Sequence, residues 1–146
     1  MRVRRFLAIV VVLGVGLFWT ASPVAAAAGR PLSTTLTGAA EVPGPADPDG
    51  SGTALITVNA GLGEVCWSIH VEGITLPAIA AHIHVGSPDV AGPVVVTLSP
   101  PDANGDASGC TAVDRALALA IVRSPSDYYV NVHTTDFPAG ALRGQL

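Results

Sequence analysis

The chain contains no lysine. Three of its seven arginines, Arg2, Arg4 and Arg5, crowd the first residues, and the other four face eleven acids, a formal charge of −7 beyond that start. Such a chain lacks the basic footprint that nucleic acid or an anionic membrane surface requires. Its acidity speaks to solubility rather than to fold. Aromatic residues make up only 5%, too few for a carbohydrate platform of stacked rings, for which Tyr129 and Phe137 are the only candidates. No serine lies in a G-x-S-x-G elbow, and neither cysteine has the setting of a nucleophile. There is no CxxC pair, which removes the usual thiolate metal knuckle, and no N-x-S/T acceptor for glycosylation. The one long apolar run, "LAIVVVLGVGLFW" at residues 7–19, falls short of the roughly 20 residues a membrane span needs.

That run follows the basic "MRVRRF" and precedes the small residues of "TASPVAAAA". This is the three-part layout of a secretory signal peptide. Residues 1–28 are therefore expected to be a leader, cleaved after Ala26, Ala27 or Ala28, with residues 29–146 as one exported β-domain and no membrane span once the leader is gone. The only cysteines, Cys66 and Cys110, both lie in the exported part, where disulfides persist. A bridge between them closes a loop of roughly 45 residues and stabilises by about 3–4 kcal/mol.

Short apolar stretches alternate with clusters of Gly, Pro, Asp and Asn. "TALITV" (53–58), "EVCWSIHV" (64–71), "IAAHIHV" (79–85), "PVVVTL" (93–98), "YYVNVHT" (128–134) and "ALRGQL" (141–146) read as strands. Residues 29–35 read as a linker. "SPPDANGDASG" reads as a break whose Asn104-Gly105 makes a hairpin turn. Its "DANGD" resembles a calcium loop only superficially, because the glycine offset is wrong and no glutamate closes it. "VDRALALAIVRSPS" reads as a short helix, with Asp114 as cap, Leu117, Ala120 and Ile121 on one face, and Pro125 past its end. Strands at this spacing predict an antiparallel all-β fold, a Greek-key sandwich or barrel with one short helix.

Side chains alternate faces along a strand. Val65, Trp67, Ile69 and Val71 share a core face, as do Ala81, Ile83 and Val85, and Tyr128, Val130, Val132 and Thr134. All four histidines, His70, His82, His84 and His133, fall on the opposite faces. A lone outward histidine is usually only a solvated side chain. His82 and His84 are different. Residues i and i+2 on a strand have Cβ atoms roughly 6.5–7 Å apart, a gap two imidazoles can close onto one ion. Two ligands hold metal weakly, so a third is needed from another strand.

"LTGAAEVPGP", "AHIHVGSPDVAGPVVVTL" and "YYVNVHTTDFPAGALRGQL" together resemble the CHRD domain, the module named for chordin and also found alone in secreted bacterial proteins. The resemblance covers about residues 32–146. It implies an extracellular β-rich domain without a well-established biochemical activity. A fainter resemblance links "CWSIHVEGITLPAIAAHIHVG" and the "YYVNVHTTDFPAGALRGQL" end to copper/zinc superoxide dismutases. It implies copper-ligand roles for His82, His84 and His133 and places Arg143 near the active-site arginine; Asn131, on the polar side of its strand with His133 by parity, is a further site-adjacent candidate. This chain lacks that family's copper–zinc bridging histidine and its zinc-ligand loop.

The leading expectation is a secreted CHRD-type binding or structural module, not an enzyme, whose partner is an extracellular protein or matrix component. The alternative is a copper or zinc metalloprotein, open to redox chemistry, with a site on His82, His84 and His133. His70 is expected to lie apart from that site.

Overall fold

Alternating apolar residues build eight strands in the computed structural model, which describes residues 29–146; the leader expected at residues 1–28 lies outside them. The strands are β1 (Arg30–Thr37), β2 (Ser51–Asn59), β3 (Glu64–Glu72), β4 (Ala80–Val85), β5 (Val94–Leu98), β6 (Asp106–Ala112), β7 (Tyr128–His133) and β8 (Leu142–Gln145). They form one antiparallel sheet in the order β5-β4-β7-β8-β1-β2-β3-β6. The sheet curls until its two outer strands approach each other. There Trp67 Nε1 donates to Ser99 Oγ (3.0 Å), and Ser99 Oγ donates to the Ser108 carbonyl (3.4 Å). The result is a nearly closed Greek-key barrel, as the strand spacing predicts. Among the described residues no helix is long and apolar enough to cross a membrane.

The inward faces follow the predicted parity. Val65, Ile69, Val71, Ile83, Val130 and Val132 are all buried in one core, each contributing about 1.5–3 kcal/mol of hydrophobic stabilisation. α1 (Arg115–Arg123) packs against β2 and β3. Asp114 caps it, accepting from the Ala116 N–H at 2.6 Å, a contact worth about 1 kcal/mol. Ala118 and Ile121 are its buried residues, while Leu117 and Ala120 are partly buried.

Two strands were not legible. The expected linker at residues 29–35 is most of β1, paired with β2 from Arg30↔Val58 to Thr37↔Ser51. Its inward positions are Leu32, Thr34 and Leu36, and the central threonine breaks the apolar alternation. The expected break at residues 99–109 contains the start of β6. That strand is rich in small residues, and Ala107 is its one buried position. Asn104-Gly105 does turn the chain, with the Gly105 N–H on the Asp102 carbonyl and Gly105 at φ 83°. The turn leads into β6, which pairs with β3 rather than with β5, so the hairpin expectation is corrected. Cys66 and Cys110 sit opposite each other in that β3–β6 ladder and are disulfide-bonded.

Candidate metal centre

β4 and β7 are hydrogen-bonded neighbours in the register Ala80↔His133, His82↔Asn131 and His84↔Tyr129. This register sets His82 and His84 of one strand beside His133 of the next, all on the outward face. Against β5 the ladder slips between Ile83 and His84, and such bulges re-aim side chains. The ring centroids lie 5.6 Å (His82–His84), 5.0 Å (His82–His133) and 6.2 Å (His84–His133) apart. One ligand nitrogen from each ring lies within 4.8 Å of the others. Two imidazole nitrogens on one tetrahedral ion at about 2.0–2.1 Å stand about 3.3 Å apart. His82 Nδ1 and His133 Nε2, at 3.1 Å, already have that spacing.

In two of the three rings the second nitrogen is committed. His84 Nδ1–H donates to the Gly92 carbonyl (2.8 Å) and His133 Nδ1–H to the Pro138 carbonyl (3.1 Å). Each bond fixes the tautomer that leaves Nε2 as an acceptor, the arrangement that orients histidine ligands in metal sites. His82 Nδ1–H then donates to His133 Nε2. His84 Nε2 is buried with no hydrogen-bond partner. An unsatisfied buried polar atom costs about 1–3 kcal/mol, and an ion among the three rings would satisfy it. The donor set fits copper or zinc and leaves a fourth position open.

This face is largely covered, contrary to the ordinary expectation for outward side chains, with His82 half-buried. The segments 86–93 and 134–140 roof it, and His84 and His133 are only 9% and 8% exposed. Burial holds all three imidazoles below the usual histidine range. The charge of His84 adds to this at His82, and that of His82 at His133. At His84 the Gly92 bond pulls upward while the Arg143 charge pushes down. The ligand-competent neutral form is thereby favoured at neutral pH.

Arg143 and Asn131 are both buried beside the centre. Asn131 donates to the Leu142 carbonyl (3.0 Å) and to the Glu41 carboxylate. Burial raises the Glu41 pKa, against the lowering effects of Asn131, the Val42 N–H and Arg143. Arg143 does not line the three-ring space directly. It lies 3.4 Å over the Tyr129 ring, whose other neighbour is His84, stacked at 4.8 Å and 9°. Tyr129 is buried and Phe137 packs partly against the core, so neither is a carbohydrate platform. Sequence reading missed Glu41, Gly92 and Pro138, whose roles come from loops that fold back over the sheet. His70 lies away on β3, bonded to Asp106 at 2.8 Å. Among the described residues the other group with ligand spacing is Glu64, Cys66 and Cys110, and its thiols are already used in the disulfide.

Fold and site thus define a disulfide-bonded antiparallel β-barrel carrying a roofed cluster of three histidines. The chain belongs to the CHRD domain family, whose model matches residues 32–146. No curated protein and no solved structure matches it. A CHRD domain with a disulfide fits an extracellular protein.

Proposed function

We propose that this CHRD domain is a secreted binding module whose ligand is one transition-metal ion, copper or zinc, held by His82, His84 and His133. The observation that carries this reading is the convergence of three neutral imidazoles around the buried, unpartnered His84 Nε2. The signal-peptide layout of residues 1–28 supports export. The open fourth position suits water or a small ligand, and a copper ion held there can cycle between Cu(I) and Cu(II). Binding rather than group transfer is the proposed role. The test is metal content after export and purification, with and without His82. The metal reading expects about one ion per chain in the parent and substoichiometric metal in His82→Ala. Substoichiometric metal in both proteins leaves the broader reading, a structural or binding module for an extracellular protein or matrix partner.

A further inference from the structure

Arg143 poses a physical problem. Its side chain is 1% exposed, and among the described residues no carboxylate lies within ion-pair distance of it. The Glu41 carboxylate feels its charge without pairing with it, so other acceptors must satisfy the buried guanidinium. Its bonds go instead to the segment between β4 and β5. Nη1 donates to the Val90 carbonyl (3.1 Å), and Nη2 donates to the Ser87 carbonyl (2.8 Å) and to Gln145 Oε1 (3.5 Å). The same segment presents the Gly92 carbonyl to His84 Nδ1, while the Gly92 N–H donates to the Tyr129 hydroxyl (3.1 Å). Two routes therefore run from Arg143 to His84: through the stack Arg143–Tyr129–His84, and through Ser87 and Val90 to the Gly92 carbonyl.

We infer that Arg143 is a positioning residue for His84: it pins segment 86–93 and the Tyr129 ring so that the His84 Nε2 lone pair points at the ion. This rests on the metal reading above and deepens it. The planar guanidinium is needed because it grips two carbonyls while lying flat on a ring, which an ammonium cannot do. Removing such an outer support of a ligand typically lowers metal affinity about 10–100-fold.

The test is copper titration of the folded parent, Arg143→Gln, Arg143→Lys, His84→Ala and the Arg143→Gln/His84→Ala double variant. Imidazole nitrogen spectra of the metal-free proteins are recorded beside it. Arg143→Gln is expected to lose about tenfold or more in affinity, with no rescue by Arg143→Lys. Once His84 is gone, Arg143→Gln should cause no further loss. The spectra should show a single Nδ1–H tautomer for His84 in the parent and a mixture in Arg143→Gln. An affinity within about twofold of the parent, or an equal loss in both backgrounds, overturns the inference. If Arg143→Gln does not fold, Gly92→Ala perturbs the same segment. A Cβ there would sit 1.6 Å from the Val85 carbonyl oxygen, so the backbone that presents the Gly92 carbonyl to His84 must shift. Gly92→Ala should then show the same loss and the same mixed tautomer, and parent-like behaviour overturns the inference. A parent that takes up no copper overturns the metal reading alone. The His84 tautomer then decides on Arg143: a shift to a mixture in Arg143→Gln supports it, and an unchanged tautomer overturns it.

Discussion

The two halves of the barrel obey one alternation and use their outward faces in opposite ways. On β1, β2, β3 and β6 the outward side chains meet water: Thr35, Thr53, Ser68 and His70 are exposed. On β4, β7 and β8 the outward side chains His84, Tyr129, Asn131, His133 and Arg143 are as buried as the core, and every residue of β7 is buried. A strand sets only which side a residue takes. The loops decide whether that side is solvent, and so whether a histidine is a surface group beside Asp106 or an imidazole stripped of water. Burial is what separates His84 and His133, and in part His82, from the exposed His70.

The largest predicted effect lies in the solvated half, where the disulfide clamps edge strand β6 to β3. Cys66→Ser should lower stability by about 2–5 kcal/mol, measured by urea denaturation. Alkylation of both cysteines in the native, unreduced protein would rule the bridge out. Next comes a matched pair, one from each half. Asn131→Ala removes the donor to the buried Glu41 carboxylate and should cost about 1–3 kcal/mol. Thr53→Ala, exposed on β2, should stay within about 0.5 kcal/mol. Equal costs would erase the contrast between the halves.

The pH dependence of stability comes from the roofed half. The folded-state pKa values of His82, His84 and His133 are lowered. The unfolded chain therefore takes up protons first as pH falls below the usual 6.5. Unfolding free energy of the metal-free protein should be flat above that value. It should decline from about pH 6.5 down to the lowered folded values, then level off. Replacing all three histidines by glutamine should flatten the curve in that window, and an unchanged curve would show that these rings are not desolvated. A small effect is likewise expected at His70. Its pair with Asp106 is exposed, 57% and 64%, and such pairs contribute less than about 1 kcal/mol. His70→Ala should shift the melting temperature by no more than a few degrees.

The sequence carried the strands with strong alternation and the pairing of the cysteines. It also carried the three histidines, because parity and the H-x-H spacing are local. β1 escaped because Thr34 occupies an inward position between Leu32 and Leu36. β6 escaped because an edge strand needs few large apolar residues. The roof was not legible for a different reason. Gly92 and Pro138 act through backbone carbonyls, which no residue type announces, and Glu41 reaches Asn131 across 90 positions of chain. Arg143 could be placed near the site by resemblance, yet its contact through Tyr129 depends on a loop path that alternation does not encode.

The central claim is that the roofed histidines, and not the exposed one, hold a metal ion. Calorimetric titration with copper at neutral pH tests it directly on the parent and on His70→Ala, His82→Ala, His84→Ala and His133→Ala. The account predicts about one ion per parent chain, bound more tightly than zinc by the usual affinity order, with affinity falling steeply below about pH 6 as protons compete. It predicts parent-like binding in His70→Ala and, in each of the other three, losses larger than the roughly 10–100-fold that removing an outer support causes. Four variants that all titrate like the parent would contradict it.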